Sequence, residues 1–571
     1  MKKTNILISL LAISCLTGCS GGGNSGNSGN PGSSQSGGAE DNSHIVIEDY
    51  GTVKLEAEDF NVDYWWSDES YEDELIIEST AASGGMYLAA ADKTGSDAKF
   101  SFELKKDSRL VVSAAYAQMA SDISTAIDMS KVYHYSISGV SPLQFEAGKS
   151  TLEARSSAES WQLMPYIYQD LAPGKYDVTL SVMDDAPACP SIDYIQFKTS
   201  DPTEVIIDPS KITEDDIPDN DFRNLQQYKY LMDEDVYSYK TYGSQNNQQN
   251  YSAPRGMKLR FEDLDNASKY YVQVAESEAG LDSAKVREAT NKFYMFQNAK
   301  LATKYYYRAA TSEAGLASAT VKNITSTDVA PRVVNVPDVL NFRDIGGWES
   351  SLVPGAKIKQ GLYFRCAQFD GAPGSTTSKL DNAGQGLEAL KELGIKCDID
   401  MRDIGNQPSR GAGPSPANTA AWPFTFVSAA VPSGSESVRW EGGSYQGTDI
   451  AAQYVKIFNA LANCDKEPAL LHCTYGADRT GIVSFFLEAL LGMSQEDMTR
   501  DYLWTQFTPG RNVKIKESEG AEFPQWISKT NGCEGATFAD KMENHLISFG
   551  IAKSTLEKIR EIFVPGYVAQ A

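Results

Sequence analysis

The stretch Leu470-Leu471-His472-Cys473-Thr474-Tyr475-Gly476-Ala477-Asp478-Arg479-Thr480-Gly481 decides the fold of the C-terminal part of the chain. The run Ala469-Leu470-Leu471 is short and apolar, as a buried strand is, and Ile482 to Leu491 is apolar enough and long enough for a helix. Five residues separate Cys473 from Arg479. A loop of that length, opening onto a helix, can curl so that successive backbone N–H groups point inward, and such a nest binds a dianion. The same positive field acidifies a thiol at its base, from about 8.5 to roughly 3.5–7.5. Arg479 offers a planar fork for two phosphate oxygens. Gly476 and Gly481 leave the backbone room to turn. The spacing therefore predicts Cys473 as a thiolate nucleophile and Arg479 as its anion clamp. Thr474, Tyr475, Gly476 and Ala477 form the phosphate cradle, with the Thr480 hydroxyl beside the sulfur.

This loop resembles the HC-x5-R-[ST] signature of the cysteine-based protein tyrosine phosphatases. Three further stretches extend the resemblance: Asn341-Phe342-Arg343-Asp344-Ile345-Gly346-Gly347, Gly361-Leu362-Tyr363-Phe364-Arg365 and Cys397-Asp398-Ile399-Asp400-Met401-Arg402. In this order they resemble bacterial tyrosine phosphatases of the NFRDLGG type. The resemblance implies an α/β catalytic domain over 332–568, with a central, mostly parallel sheet between helices. It also implies a cysteinyl-phosphate intermediate and no cofactor for catalysis. His472 is expected to orient the loop, and Arg343 and Arg402 to support it. Arg343 and Asp344 can pair with each other. Thr448 to Leu461 reads as a helix, and Ser494-Gln495-Glu496-Asp497 and Ser554-Thr555-Leu556-Glu557 as capping-box helix starts.

A phenolate leaving group, whose conjugate acid has a pKa of about 10, needs a proton donor. Asp478, inside the loop, and Asp400, at the end of a strand aimed at the site, are both candidates, with Asp449 a third. Trp422-Pro423-Phe424 is similar to a Trp-Pro-Asp acid loop but lacks the aspartate.

The N-terminal half is organised differently. Lys2 and Lys3 precede the apolar run Ile6 to Leu16, too short to span a bilayer, and Leu16-Thr17-Gly18-Cys19 resembles a bacterial lipobox. Residues 1–19 thus read as a lipoprotein signal peptide with lipidation at Cys19, which implies membrane anchoring at the extracytoplasmic side of a bacterial cell envelope. Residues 20–47 begin Gly/Ser/Asn-rich and read as a flexible tether. Residues 48–199 alternate in the manner of strands, as in Tyr176-Asp177-Val178-Thr179-Leu180-Ser181. Leu55-Glu56-Ala57-Glu58 and Ile192-Asp193-Tyr194-Ile195 resemble the two ends of family 6 and 35 carbohydrate-binding modules, with Trp161-Gln162 between them. That resemblance implies a β-sandwich, a glycan ligand and a structural calcium at Glu56, Glu58 and Asp193. Ser191 stands where those modules often carry a sugar-binding Asn, and Tyr64, Trp65 and Trp66 can stack on a sugar or fill a core. Residues 200–250 read as an acidic linker. Residues 251–329 read as a second β-sandwich that, through Leu301 and Tyr305, resembles a fibronectin type III domain and acts as a spacer.

The chain has 571 residues and a net charge of -25, which excludes nucleic acid as a partner class. Its four histidines, His44, His134, His472 and His545, are scattered, so a histidine-rich metal centre is not expected. Six cysteines follow Cys19, and in an oxidising compartment some can pair or shield Cys473. Relatives with Lys at position 477 often take phosphoinositides; Ala477 here removes that cation, and Tyr475 adds bulk. The expected substrate is therefore phosphotyrosine in a protein or a small aryl phosphate. The alternatives are inositol polyphosphates or phosphoinositides on the same loop, or glycan binding with a vestigial phosphatase.

Overall fold

The structure, a computed structural model, describes residues 43–63, 75–78, 82, 86–89, 97–117, 127–140, 151–152, 162–184, 186, 189–203, 208–233, 239–243, 251–369, 380, 385–403, 422–434, 436–509 and 523–569. The signal segment with Cys19, most of the tether, and Tyr64, Trp65, Trp66 and Trp161 lie outside the described residues. The chain divides into two compact units, the first running to Ile206 and the second from Ile207, apart from 516–520. No helix among the described residues is long and apolar enough to cross a membrane.

The N-terminal unit is all β. One sheet runs in the order His44–Ile47, Asp97–Leu104, Gly174–Val182, Tyr133–Ile137. The other runs Gln162–Leu171, Ser108–Ala117, Ser191–Ser200, Met86–Leu88, Ile76–Glu78, with Gly51–Glu56 also on Ser191–Ser200. Alternate residues such as Phe100, Phe102, Tyr116, Tyr135 and Phe197 share one buried core, the period-two consequence of the strand pleat. The buried tyrosines satisfy their hydroxyls there: Tyr116 and Tyr135 meet at 2.8 Å, and Tyr133 donates to the Pro190 carbonyl at 2.6 Å. One boundary is corrected. His44–Ile47, expected in the tether, pairs in parallel with Ser101–Leu104, because Ile45 and Ile47 carry apolar surface that the sheet buries.

The second unit holds both the smaller sandwich and the α/β layers. Met257–Arg260 pairs with Phe293–Phe296, and a four-stranded sheet runs Arg287–Ala289, Tyr270–Ala275, Lys304–Ala310, Lys322–Thr325. The hydroxyl of Tyr305 accepts the Lys300 N–H at 2.8 Å and closes the turn before its own strand. The six-stranded sheet runs Arg332–Val333, Arg343–Asp344, Tyr363–Cys366, Ala469–His472, Cys397–Asp400, Thr425–Ser428. Its first two pairings are antiparallel, and its last three are parallel. Ala469–His472 therefore lies inside the sheet, which is why its four residues can all be apolar or buried. Helices such as Ile450–Leu461, Asp478–Leu490, Phe538–Ser548 and Lys553–Phe563 cover it.

Two expectations change here. Residues 200–250 are not simply a linker. Leu225–Met232 forms a helix with a capping box at Asn224 and Gln227, and its Tyr230 ring packs on Trp504 and Phe507 at 5.8 and 5.7 Å. The acidic composition hid aromatic residues at helical spacing. Nor is the 251–329 sandwich an independent spacer. Gln360 binds both backbone groups of Leu301, its Oε1 accepting the N–H at 2.7 Å and its Nε2 donating to the carbonyl at 3.2 Å. Gly347, at φ 100°, leaves the space that Leu301 fills; a Cβ there would stand 2.4 Å from Leu301 Cδ1. Two helix starts also differ. Asp449 is the N-cap of Ile450–Leu461, accepting Ala452 N–H at 3.0 Å. The last helix starts at Lys553, with Ala552 as its cap and no side-chain cap bond, so Ser554 is inside it.

Candidate active site

The sheet delivers Cys473 at the C-terminal end of the strand Ala469–His472, and the helix Asp478–Leu490 starts five residues later. Gly476 turns the loop at φ 67°, and its backbone passes so close to the next strand that a Cβ would meet Cys366 O at 2.4 Å. Only glycine fits.

The loop carbonyls are held from outside. Asn341 Nδ2 donates to Tyr475 O at 3.0 Å and to Gly476 O at 3.1 Å, and Arg365 Nη2 donates to Gly476 O at 3.0 Å. The Gln368 N–H donates to Thr474 O at 3.2 Å, and His472 Nδ1 lies 3.3 Å from Cys473 O. In a trans peptide the N–H points opposite to the C=O. The N–H groups of Thr474, Tyr475, Gly476 and Ala477 therefore turn away from these supports and toward the inside of the loop.

Behind this layer lies a fully buried ion network. Asp501 accepts from Arg343 Nε at 2.8 Å and from Arg365 Nη1 at 2.8 Å, and Arg343 also donates to Asn341 Oδ1. Glu488 joins it, 3.9 Å from Arg365. Burial and the neighbouring Asp501 push the Glu488 carboxyl well up. Asp501 is lowered: burial opposes this, but the two guanidiniums prevail. Arg343 and Asp344 do not pair with each other as expected; Asp344 binds Arg332 at 2.7 Å.

Cys473 is 4% exposed. Burial alone would raise its thiol, but Arg479 together with the Thr480 hydroxyl and N–H outweighs burial, and its pKa is lowered. The Thr480 hydroxyl is buried without a hydrogen-bond partner, and its nearness to the sulfur helps lower the thiol. Arg479 donates to Val431 O at 3.1 Å and to Thr474 Oγ1 at 3.2 Å, and lies 3.8 Å from Asp403 Oδ2. Asp403 is itself held by the N–H and hydroxyl of Ser433. The sequence reading missed Asp403, because no local pattern marks it; it reaches Arg479 only through the sheet order.

The two acid candidates separate. Asp400 is fully buried and spends both oxygens on Arg402, at 2.8–3.1 Å. Burial would raise it, but His472 and Arg402 hold it below the usual carboxylate range, and Arg402 occupies both of its oxygens. The expectation of Asp400 as general acid is corrected on that ground. Arg402 likewise serves Asp400 and Gln368. Asp478 is half-buried, on the first turn of the helix, next to Arg479. Asp449 is occupied as a cap.

The six described cysteines are free thiols. Cys366 packs with Phe342, Phe364, Phe369 and Leu470, in a core separate from that of Leu471 and Cys473. In the N-terminal unit, Glu56 ends its strand beside Tyr194, the neighbour of Asp193, and Glu58 sits on the following turn. Glu58 Oε2 is buried without a hydrogen-bond partner, and burial, with Glu56 and Asp59 close by, raises its carboxyl. Among the described residues, no group of three or more His, Cys, Asp or Glu side chains is placed to hold a metal.

Among solved structures, the chain is similar to a family 35 carbohydrate-binding module from Clostridium thermocellum, at 14% identity over 26% of this chain and 96% of that one, with a TM-score of 0.19. It is also similar to a family 35 module from Cellvibrio japonicus, at 18% identity over 26% of this chain and 91% of that one, again with a TM-score of 0.19. A Cupriavidus necator protein named as a tyrosine-protein phosphatase is 27% identical over 175 residues, which span 29% of this chain and 60% of that protein. Residues 334–562, which hold the loop, the arginine network and the buried carboxylates, match the model of the tyrosine phosphatase family.

Proposed function

We propose that this chain hydrolyses phosphate monoesters, phosphotyrosine foremost, through a cysteinyl-phosphate. The observation that carries this reading is the acidified Cys473 thiol at the foot of a loop whose carbonyls are held outward. The Cys473 thiolate attacks phosphorus in line, and the bond from phosphorus to the aryl oxygen breaks. Asp478 gives its proton to the leaving oxygen. Arg479 exchanges the Val431 carbonyl for two equatorial oxygens, and the inward N–H groups take the third. Water then attacks the phosphorus and returns a proton to Asp478, and the thiolate leaves. The thiolate, the amides and Arg479 supply every charge these steps require, so no metal or cofactor enters them.

The surroundings of Arg479 favour a singly phosphorylated aryl ester. Asp403 and Asp478 stand near it, and Ala477 replaces the cation that inositol phosphates would use. The lipobox at Cys19 supports a lipid anchor at the bacterial envelope. The sequence resemblance of the N-terminal unit supports a glycan partner there.

The test is turnover of phosphotyrosine peptides beside inositol polyphosphates and phosphoinositides, with Cys473→Ser as control. Cys473-dependent release of phosphate from the peptides is expected. A preference for inositol phosphates would replace the substrate class, and no turnover of any ester by folded, reduced protein would end the enzyme reading.

A further inference from the structure

His472 is enclosed by charge in a way the phosphatase signature does not require. Asp398 and Asp400 sit two residues apart on one strand, so both carboxylates face the same side of the sheet. Asp400 is in register with His472, and Asp398 with Leu470. His472 Nε2 lies 3.2 Å from Asp398 Oδ1, and its Nδ1 lies 3.9 Å from Asp400 Oδ1 and 3.3 Å from Cys473 O. The Phe369 ring covers the imidazole at 4.9 Å. Trp422 Nε1 donates to Asp398 Oδ2 at 3.2 Å. Trp422 thus has a role in the site, although the chain lacks the aspartate of an acid loop there.

The two carboxylates are not equivalent. Asp400 has Arg402 as its cation. Asp398 is 1% exposed, and its Oδ1 accepts no hydrogen bond; the nearest cationic group is the imidazole, with Nε2 at 3.2 Å. An uncompensated buried carboxylate costs several kcal/mol, so this oxygen requires a cation, and His472 is the group placed to become one.

We propose that Asp398, oriented by Trp422, is a positioning residue that keeps His472 as an imidazolium behind the nucleophile. One ring nitrogen then donates to Asp398 and the other to the Cys473 carbonyl. This fixes the peptide that starts the phosphate cradle and places a positive charge one residue from the thiolate. The other charged or titratable groups facing the ring are Asp400 and Arg402 from the same strand, Cys366 from the strand on the other side, and Cys473 with Arg479 from the loop. Burial opposes the imidazolium and Arg402 weakens it, yet the two carboxylates prevail and raise His472 to about 9. The inference rests on Cys473 being the nucleophile.

The experiment uses the full chain, without substrate. Alkylation of the Cys473 peptide by iodoacetamide is followed against pH for the native protein, Asp398→Asn and Trp422→Phe. Imidazole resonances are followed by NMR, with His472→Gln for assignment. The native His472 is expected to be protonated at pH 7. In Asp398→Asn its titration moves down toward neutral pH, and the acid limb of Cys473 alkylation moves up by about half a unit, about a threefold loss on that limb. Trp422→Phe, which keeps the charge, shifts alkylation much less. A neutral His472 in the native protein overturns the proposal even if Asp398→Asn does not fold. An unchanged alkylation profile in folded Asp398→Asn also overturns it, and so does an equal shift in Trp422→Phe, which would make the effect one of packing. Because no substrate is used, a protein that shows the shift yet hydrolyses nothing supports this inference and defeats the phosphatase reading. An active enzyme without the shift does the reverse.

Discussion

Arg365 Nη2 donates to the carbonyl oxygen of Gly476 at 3.0 Å, across 111 residues of sequence. That bond, with the two from Asn341, turns the loop inside out: carbonyls to the surrounding protein, N–H groups to the inside of the loop. The nest of N–H groups is thus a product of the neighbouring strand and of the segment before it, and not of the loop alone. Asn341→Ala should lower kcat/KM for phosphate esters by about a hundredfold or more, the scale of a lost oxyanion-hole donor. Steady-state kinetics beside a thermal melt checks this. A loss of activity no larger than the loss of folded protein would return Asn341 to a purely structural role.

The thiol shift sets a pH dependence. Cys473 is lowered, so the thiolate is lost only as pH falls through that lowered value, and kcat/KM should hold up well below the ordinary cysteine range. Thr480→Ala removes the hydroxyl from the sulfur. Its acid limb should move upward by about one unit, a tenfold loss at acidic pH. A pH–rate profile reads this directly.

His472 gives the opposite sign in stability. Its folded pKa, about 9, lies above the unfolded value of about 6.5. Its contribution is fully present below pH 6.5 and is lost as pH rises to 9. Cys473 works against that trend over part of the range, so Cys473→Ser is the right background. In that background, chemical denaturation should give a stability that falls by on the order of 3 kcal/mol from pH 6.5 to 9. The fall should vanish in the double variant with His472→Gln.

Asp478 and Asp400 are separable by leaving group. Asp478→Asn should lower kcat by about 100–10,000-fold on phenyl phosphate and much less on esters whose leaving group needs no proton. Asp400→Asn should instead destabilise the fold, because it strips Arg402 of its buried partner. Kinetics on a leaving-group series, with melts for both variants, distinguishes the two.

Tyr230 ties the 208–233 segment to Trp504 and Phe507, which follow Asp501 and flank Thr505 on the same helical stretch. Tyr230→Ala should cost about 3 kcal/mol, as other large-to-small core substitutions do. Denaturant titration measures it, and a loss below 1 kcal/mol would mean the segment packs only loosely.

The strand–loop–helix around Cys473 was legible because its pattern is local. A cysteine, two glycines and an arginine at fixed offsets, between a strand and a helix, require no distant partner to be read. The helix over 450–461 and the alternating strands of the N-terminal unit were legible for a similar reason, since 3.6 and 2 residue periods are printed in the sequence. The segment at 200–250 was misread because its charges masked Phe222, Tyr230 and Tyr242, whose burial depends on a core built elsewhere.

By itself, the sequence determined that Cys473 and Arg479 share one short loop between a strand and a helix. Only the tertiary structure decided what holds them. Sheet order sets Arg365 and Asp398 on either side of the strand that ends at His472, and a later helix brings Asp501 to pair with two arginines. Asp400 became an ion-pair partner more locally, through Arg402 two residues on, with His472 brought up by the sheet. A carboxylate's role depends on which charges lie within a few ångströms of it, and over a hundred residues of chain that distance is set by packing and not by spacing.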